Sequence, residues 1–184
     1  MKQARKPQAK TAKAKQPNSG EETVTVIIET PKGSRNKYKF DEKMRRYMLA
    51  KVLPQGMVFP YDFGFVPDTH AEDGDPIDVL LLMDEPAFPG CVVECRLVGV
   101  IEGEQTEDGD THRNDRLLAV AQDNHTYSDL RSIADMNQAL LKEIGQFFTN
   151  YHQLQGRKFK VIGNQGPQEA MQLLQKASKK KKAA

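Results

Sequence analysis

Three stretches of this chain are too apolar to lie on a protein surface: Ile77 to Met83 (IDVLLLM), Cys91 to Ile101 (CVVECRLVGVI) and Leu117 to Ala121 (LLAVA). Their length and aliphatic content read as buried strands. Upstream, Thr23 to Ile28 is a β-branched run, Pro31 to Asn36 (PKGSRN) is a turn, and Lys37 to Phe40 resumes extended alternation. After residue 135 the period changes. Asp135 is placed to cap a helix whose apolar residues fall at Met136, Leu140, Leu141, Ile144, Phe147, Phe148 and Tyr151, the stripe of a helix with one buried face. Arg157 to Ile162 returns as a strand, and Gly166-Pro167 opens a final helix through about Ser178. Strands first and helices late predict an α+β domain built on a small twisted sheet or barrel.

Charge divides the chain further. The 27 Lys+Arg and 25 Asp+Glu nearly cancel, leaving +2. Six of the basic residues (Lys2, Arg5, Lys6, Lys10, Lys13, Lys15) lie in 1–20, where there is no acid, and four more are Lys179 to Lys182. The remaining 17 basic and 25 acidic residues give the stretch 21–177 a net charge of −8. The expected organisation is a disordered basic tail over 1–20, a folded domain over 21–177 and a solvated basic tail over 178–184. An acidic domain excludes a phosphate-reading, nucleic-acid-binding fold, leaving the tails at most a weak, sequence-blind polyanion contact and no specific nucleic acid partner. No apolar run reaches the ~18 residues that span a bilayer, so no membrane partner is expected. The opening residues match neither a secretory signal nor a transit peptide, and a cytoplasmic address is expected. Cys91 and Cys95 would stand ~13 Å apart in an extended segment, too far for a mutual disulfide, and read as two buried thiols.

The strongest local signal is Asp73-Gly74-Asp75-Pro76-Ile77-Asp78 at the mouth of a buried strand. Three carboxylates in six residues repel one another unless positive charge sits between them. Gly74 and Pro76 make a turn, and Asp78 belongs to the strand that follows. Oxygen-only donors suit hard cations such as Mg²⁺. A helix–loop–helix calcium loop fails on spacing, since counting from Asp73 puts Ile77 at a ligand position and Asp78 where Gly is required. A merely solvated acidic turn is the plain alternative. Further acids lie at Glu104, Glu107, Asp108 and Asp110, where Gly109 also suits a charged hairpin tip, and at Glu29. With Lys37, Lys51 and Arg116 nearby in sequence, the pattern suggests metal ions bridging carboxylates to a phosphate ester or anhydride.

At this point the chain resembles the soluble inorganic pyrophosphatases of the magnesium-dependent family I. The resemblance is carried by Phe59 to Pro67 (FPYDFGFVP), Asp73 to Leu80 (DGDPIDVL), Pro89-Gly90, Arg96 to Val100 (RLVGV), Arg116 to Val120 (RLLAV) and Phe147-Phe148 with Tyr151, and covers roughly 23–177. It implies a five-stranded OB-like β-barrel with two helices, and a homo-oligomer with a hexamer favoured. It implies Mg²⁺-dependent hydrolysis of diphosphate to two phosphates by a metal-activated water, Mn²⁺ and Co²⁺ remaining compatible. By position, it implies that Asp73 and Asp78 ligate metal and that Asp75, also a ligand candidate, orients or deprotonates the attacking water. Glu29 would hold an outer metal through water. Either Glu107 or Asp108 would ligate substrate-associated metal, an insertion leaving the choice open. Lys37, Lys51, Arg116 and Tyr151 would grip phosphate oxygens.

Six positions depart from that family's pattern. It has Glu at Lys39, Arg at Lys51, Tyr at Phe59 and at Phe63, Asp at Asn114 and Lys at His152. Lys51 cannot reproduce a bidentate fork on phosphate. The Asn114 amide oxygen still ligates but without charge, and Asp115 next to it would point to the opposite face of a strand. These changes keep two alternatives open: a non-catalytic barrel that binds metal and phosphate, and a phosphohydrolase acting on another phosphoanhydride.

Overall fold

The structure, a computed structural model, describes residues 22–41 and 43–183, so the tail expected over 1–20 lies outside the described residues. The described elements run β1 (Val24–Thr30), β2 (Asn36–Asp41), β3 (Arg46–Val52), β4 (Asp62–Phe65), β5 (Asp78–Leu82), β6 (Val92–Glu107), β7 (Asp110–Arg113), β8 (Arg116–Ala121), α1 (Gln138–Gln153), β9 (Lys158–Gln165) and α2 (Pro167–Ala183). β1, β4, β5, β8 and β6 are hydrogen-bonded in that order, and β6 pairs back onto β1 to close a ring. β5 and β8 run parallel, and the other ring pairings are antiparallel. β2 and β3 form a separate two-stranded ribbon. The ring with two later helices is the expected α+β, OB-like architecture.

Side-chain alternation explains the apolar runs. In β5, Leu80 and Leu82 join a core with Phe59, Phe63, Val98 and the α1 residues Leu141, Ile144 and Phe148. Val79 and Leu81 point the other way, into a core with Val26, Ile28, Leu97, Leu117 and the α2 residues Ala170, Leu174 and Ala177. Successive strand residues face opposite sides, and both sides are covered, so neither side needs polar residues. Leu80, Leu81 and Leu82 are all fully buried.

Several boundaries differ from expectation. β6 extends to Glu107, six residues past Ile101, because its far half pairs with β9 and β7. β3 and β4 carry no clean alternation; they are strands because partners supply their hydrogen bonds. Asp135 does not cap α1. It closes a capping box with Ser132 around the 3₁₀ turn Ile133–Asp135, and Asn137, whose Oδ1 accepts from Ala139 N at 2.8 Å, caps the helix. The last helix runs on to Ala183, so the backbone of the lysines read as a tail continues α2. Cys95 is buried as expected, its thiol pushed up to about 12 by burial, whereas Cys91 is half-buried just ahead of β6; both are free.

Gly64 lets β4 lie close against β1: a Cβ there would sit 2.1 Å from the carbonyl oxygen of Ile27. Gly64→Ala should therefore destabilise the ring by about 2–3 kcal/mol, as overpacking does. Urea unfolding measures it, and an unchanged midpoint would refute the contact.

Candidate active site

The acidic turn is held in shape by its own backbone. Thr69 Oγ1 donates to Val66 O at 2.7 Å and accepts from Ile77 N at 2.9 Å. Ala71 N donates to Asp75 O at 2.8 Å, and Asp75 N donates to Asp73 Oδ1 at 3.1 Å. The turn requires a φ of 86° at Gly74, a left-handed value that glycine adopts without steric cost. Asp78 is then fixed as the first residue of β5, opposite Phe65 on β4.

These acids form one wall of a cleft of about 460 Å³. Asp73, Asp75, Asp78, Glu107, Asn114, Lys37, Arg116 and Tyr151 all line it. Three expected residues do not. Asp108 sits at the β6–β7 turn with a φ of 52°, exposed. Lys51 lines an adjoining hollow of about 300 Å³ that shares Tyr151, Glu107 and Arg157 with the cleft. Glu29 is buried behind the ribbon, where its Oε1 accepts from Phe40 N at 2.9 Å. Asn114 faces the cleft, and Asp115 turns away to Arg113 and to the backbone N–H of Gly103.

Cations already hold the carboxylates. Arg116 Nη1 lies 3.0 Å from Asp78 Oδ2, with both side chains largely buried, and it also donates to the side chain of Asn114. Arg157 Nη2 lies 2.7 Å from Glu107 Oε1. Lys39 Nζ lies 3.0 Å from Asp75 Oδ2, but these side chains are 54% and 62% exposed, so water competes and the pair contributes little. Burial works to lower Lys39, and its hydrogen bond to Asp75 overrides that and holds the ammonium above its ordinary value. Desolvation pushes the Asp73 carboxyl up; the Asp75 N–H opposes this, and the Asp78 and Asp75 charges add to it.

Aromatic packing shapes the opposite wall. Phe59 packs against Phe63, Phe147 and Tyr151, with ring centroids at 5.4, 5.3 and 6.0 Å. Lys37 Nζ lies 5.0 Å over the Phe63 ring and 5.5 Å over Tyr151. The Arg116 guanidinium lies 5.3 Å over Phe148. His152 is stacked on Phe159 at 4.9 Å. Burial and then the charges of Arg116, Lys37, Arg157 and Lys51 bring its imidazole down to about 3, so it is neutral at physiological pH.

The family model described as inorganic pyrophosphatase matches residues 26–182. The chain belongs to the inorganic pyrophosphatase family. An inorganic pyrophosphatase of Synechocystis is 40% identical over 148 residues, covering 80% of this chain and 84% of its own. One from Methanosarcina acetivorans is 39% identical, covering 83% and 89%. The crystal structure of the Thermus thermophilus inorganic pyrophosphatase superposes with a TM-score of 0.81 at 34% identity, covering 91% of this chain and 95% of that one.

The family is metal-dependent, and the cleft's donor chemistry suits a divalent cation. Its acids offer only oxygen, and Asp73 is raised partly by two neighbouring carboxylates. Among the described residues, no three Asp, Glu, His or Cys side chains converge closely enough to hold a metal; Asp75, Asp78 and Glu107 each lie on a separate cation. Sequence reasoning missed Glu72, Gln105, His112, Gln155 and Arg157, which also line the cleft. Alternation offered a signal for two of them, His112 two residues before Asn114 and Gln105 two before Glu107 on β6.

Glu29 provides a test of the electrostatics. Burial raises its carboxyl above the ordinary value of 4.5, against the Phe40 N–H and Lys37. A raised folded-state value means that the folded protein binds the proton more tightly, so stability falls as pH rises through that value. Glu29→Gln, which keeps the acceptor oxygen, should unfold at a higher temperature than wild type at pH 7 in EDTA. The advantage should vanish below about pH 4, where both side chains are neutral. Equal melting at every pH would contradict the burial cost.

Proposed function

We propose that this protein hydrolyses inorganic diphosphate to two phosphates, using Mg²⁺, with Mn²⁺ or Co²⁺ as substitutes. The supporting observation is one cleft in which the Asp73–Asp78 turn faces Lys37, Arg116 and Arg157, within a chain of the inorganic pyrophosphatase family. Nothing in the cleft or the relatives favours a non-catalytic role or another anhydride. Asp73 and Asp78 would hold metal, with Glu107 and Asn114 serving metal that arrives with the substrate and Glu29 an outer ion. A bound divalent cation supplies charge neutralisation and a lowered water pKa.

The chain's own residues do the rest. Asp75 takes a proton from the attacking water as oxygen bonds to phosphorus and the bridging P–O bond breaks. Its exposed pairing with Lys39 leaves the carboxylate available at small cost. Asp78 orients Arg116 through a largely buried ion pair, so the guanidinium is positioned before substrate arrives. Arg116 and Lys37 meet the charge developing on the leaving phosphate. Lys51, at the outer hollow, and Tyr151 bind its remaining oxygens. A homo-oligomer, with six copies favoured, and a cytoplasmic address belong to the same reading; light scattering on purified protein measures the former. Among the described residues no helix is long and apolar enough to cross a membrane.

Phosphate release from diphosphate, with Mg²⁺ titrated, tests the assignment. Wild type should show metal-dependent turnover, and Asp78→Asn should lose about 100-fold or more, since it removes a metal ligand and the partner of Arg116 together. Absence of Mg²⁺-dependent release by wild type overturns the activity. Equal rates for the two proteins overturn the site.

A further inference from the structure

Buried side-chain nitrogens without a hydrogen-bond partner among the described residues gather in this cleft: His112 Nε2, Arg116 Nε, and both ring nitrogens of His152. Leaving a buried donor unpaired costs roughly 1–3 kcal/mol, and native structures leave few in that state. Neutral His152 has one N–H and one acceptor nitrogen, so Arg116 Nε, one His152 N–H and His112 Nε2 are the donors a bound acceptor could meet.

His112 was not among the residues that sequence reasoning placed at the site. It lies on β7, just after the hairpin turn at Asp108-Gly109, paired in register with Gln105 on β6. Gln105 does not satisfy it: its Oε1 accepts from Asn114 Nδ2 at 2.6 Å and its Nε2 donates to Glu107 Oε2 at 3.4 Å, with neither turned to His112 Nε2. The flanking residues are committed elsewhere, Thr111 to Thr106 and Arg113 to Glu102 and Asp115. The imidazole therefore lines the cleft with one ring nitrogen buried and unmatched.

We propose that His112 is a specificity-determining contact, donating its Nε2–H to a phosphate oxygen of the substrate beside Arg116 Nε and the His152 ring. The inference rests on the diphosphatase reading. The acceptor is an oxygen that takes no part in bond cleavage, so the contact exists equally before and during reaction. Its loss raises KM and leaves kcat alone. The contact adds a donor on the β7 side of a cleft that Lys37, Arg116 and Arg157 also line.

The test combines kinetics with a readout that needs no turnover. His112→Ala should raise KM for diphosphate about tenfold, the scale of one hydrogen bond to a charged acceptor, with kcat unchanged and the melting temperature not lowered. His112→Gln, which restores an N–H donor, should recover most of that loss. In ¹⁵N-histidine-labelled wild type, inorganic phosphate should shift the His112 ring nitrogens saturably, the signal being assigned by its absence from His112→Ala. An unchanged KM with no phosphate-dependent shift overturns the proposal, as does a fall in kcat and melting temperature together, which would make the residue structural. If wild type releases no phosphate at all, the diphosphatase reading fails, and the phosphate titration still decides whether His112 meets an oxyanion.

Discussion

Everything in this fold hangs on the hydrogen-bonding demands of β6. A sixteen-residue strand carries a full row of backbone donors and acceptors along both edges, and these must be paired where they are buried. One edge takes β1 and then β9, the other takes β8 and then β7. The ring closes because β1 reaches both β4 and β6. Register shifts at Leu97/Gly99 and Glu102/Gly103 bend the strand as bulges do, letting its near half serve the ring and its far half form a floor beneath the cleft. Glu107, His112 and Asn114 reach the site through that far half.

The second constraint is electrostatic. A turn with three aspartates is unfavourable by itself, and the structure answers by setting cations against two of them, Lys39 on Asp75 and Arg116 on Asp78. How deeply each pair is buried then determines how freely it can rearrange. Asp78 and Arg116 are largely out of water and hold a fixed geometry, whereas Lys39 and Asp75 meet in solvent and separate cheaply. The residue proposed as proton acceptor is thus weakly paired, and the arginine proposed to meet the leaving phosphate is held in a more buried pair. Departures from the family's pattern follow a related logic. Phe59 and Phe63, where the resemblance implied Tyr, build the aromatic wall on which Lys37 rests. His152, where the resemblance implied Lys, is held neutral by burial and by the charges of Arg116, Lys37, Arg157 and Lys51.

Much of this was legible in the chain, for identifiable reasons. The apolar runs at 77–83 and 117–121 could be read as buried strands because cover on both faces removes the polar alternation that would otherwise appear. The Asp73–Asp78 turn was legible because its chemistry lies within six consecutive residues. β3 and β4 were not, since RYMLAKV and DFGF owe their strand form to neighbours rather than to their own pattern. The N-cap of α1 was misplaced by two residues because Ser132, Asp135 and Asn137 are all competent caps, and the 3₁₀ turn used two of them first.

By itself, the sequence determined which segments must be buried, that strands precede helices, and that a cluster of oxygen donors sits at one strand's mouth. Those are properties of neighbouring residues, and short-range chemistry governs them. The tertiary structure alone decided which distant groups meet. It brought Arg157 to Glu107 and Lys39 to Asp75, put Glu107 rather than Asp108 in the cleft, and left His112 with an unmatched nitrogen there. Ring closure and strand register set those meetings, and a shift of one residue in register would have turned strand side chains such as Lys39, Glu107 and His112 to the opposite face.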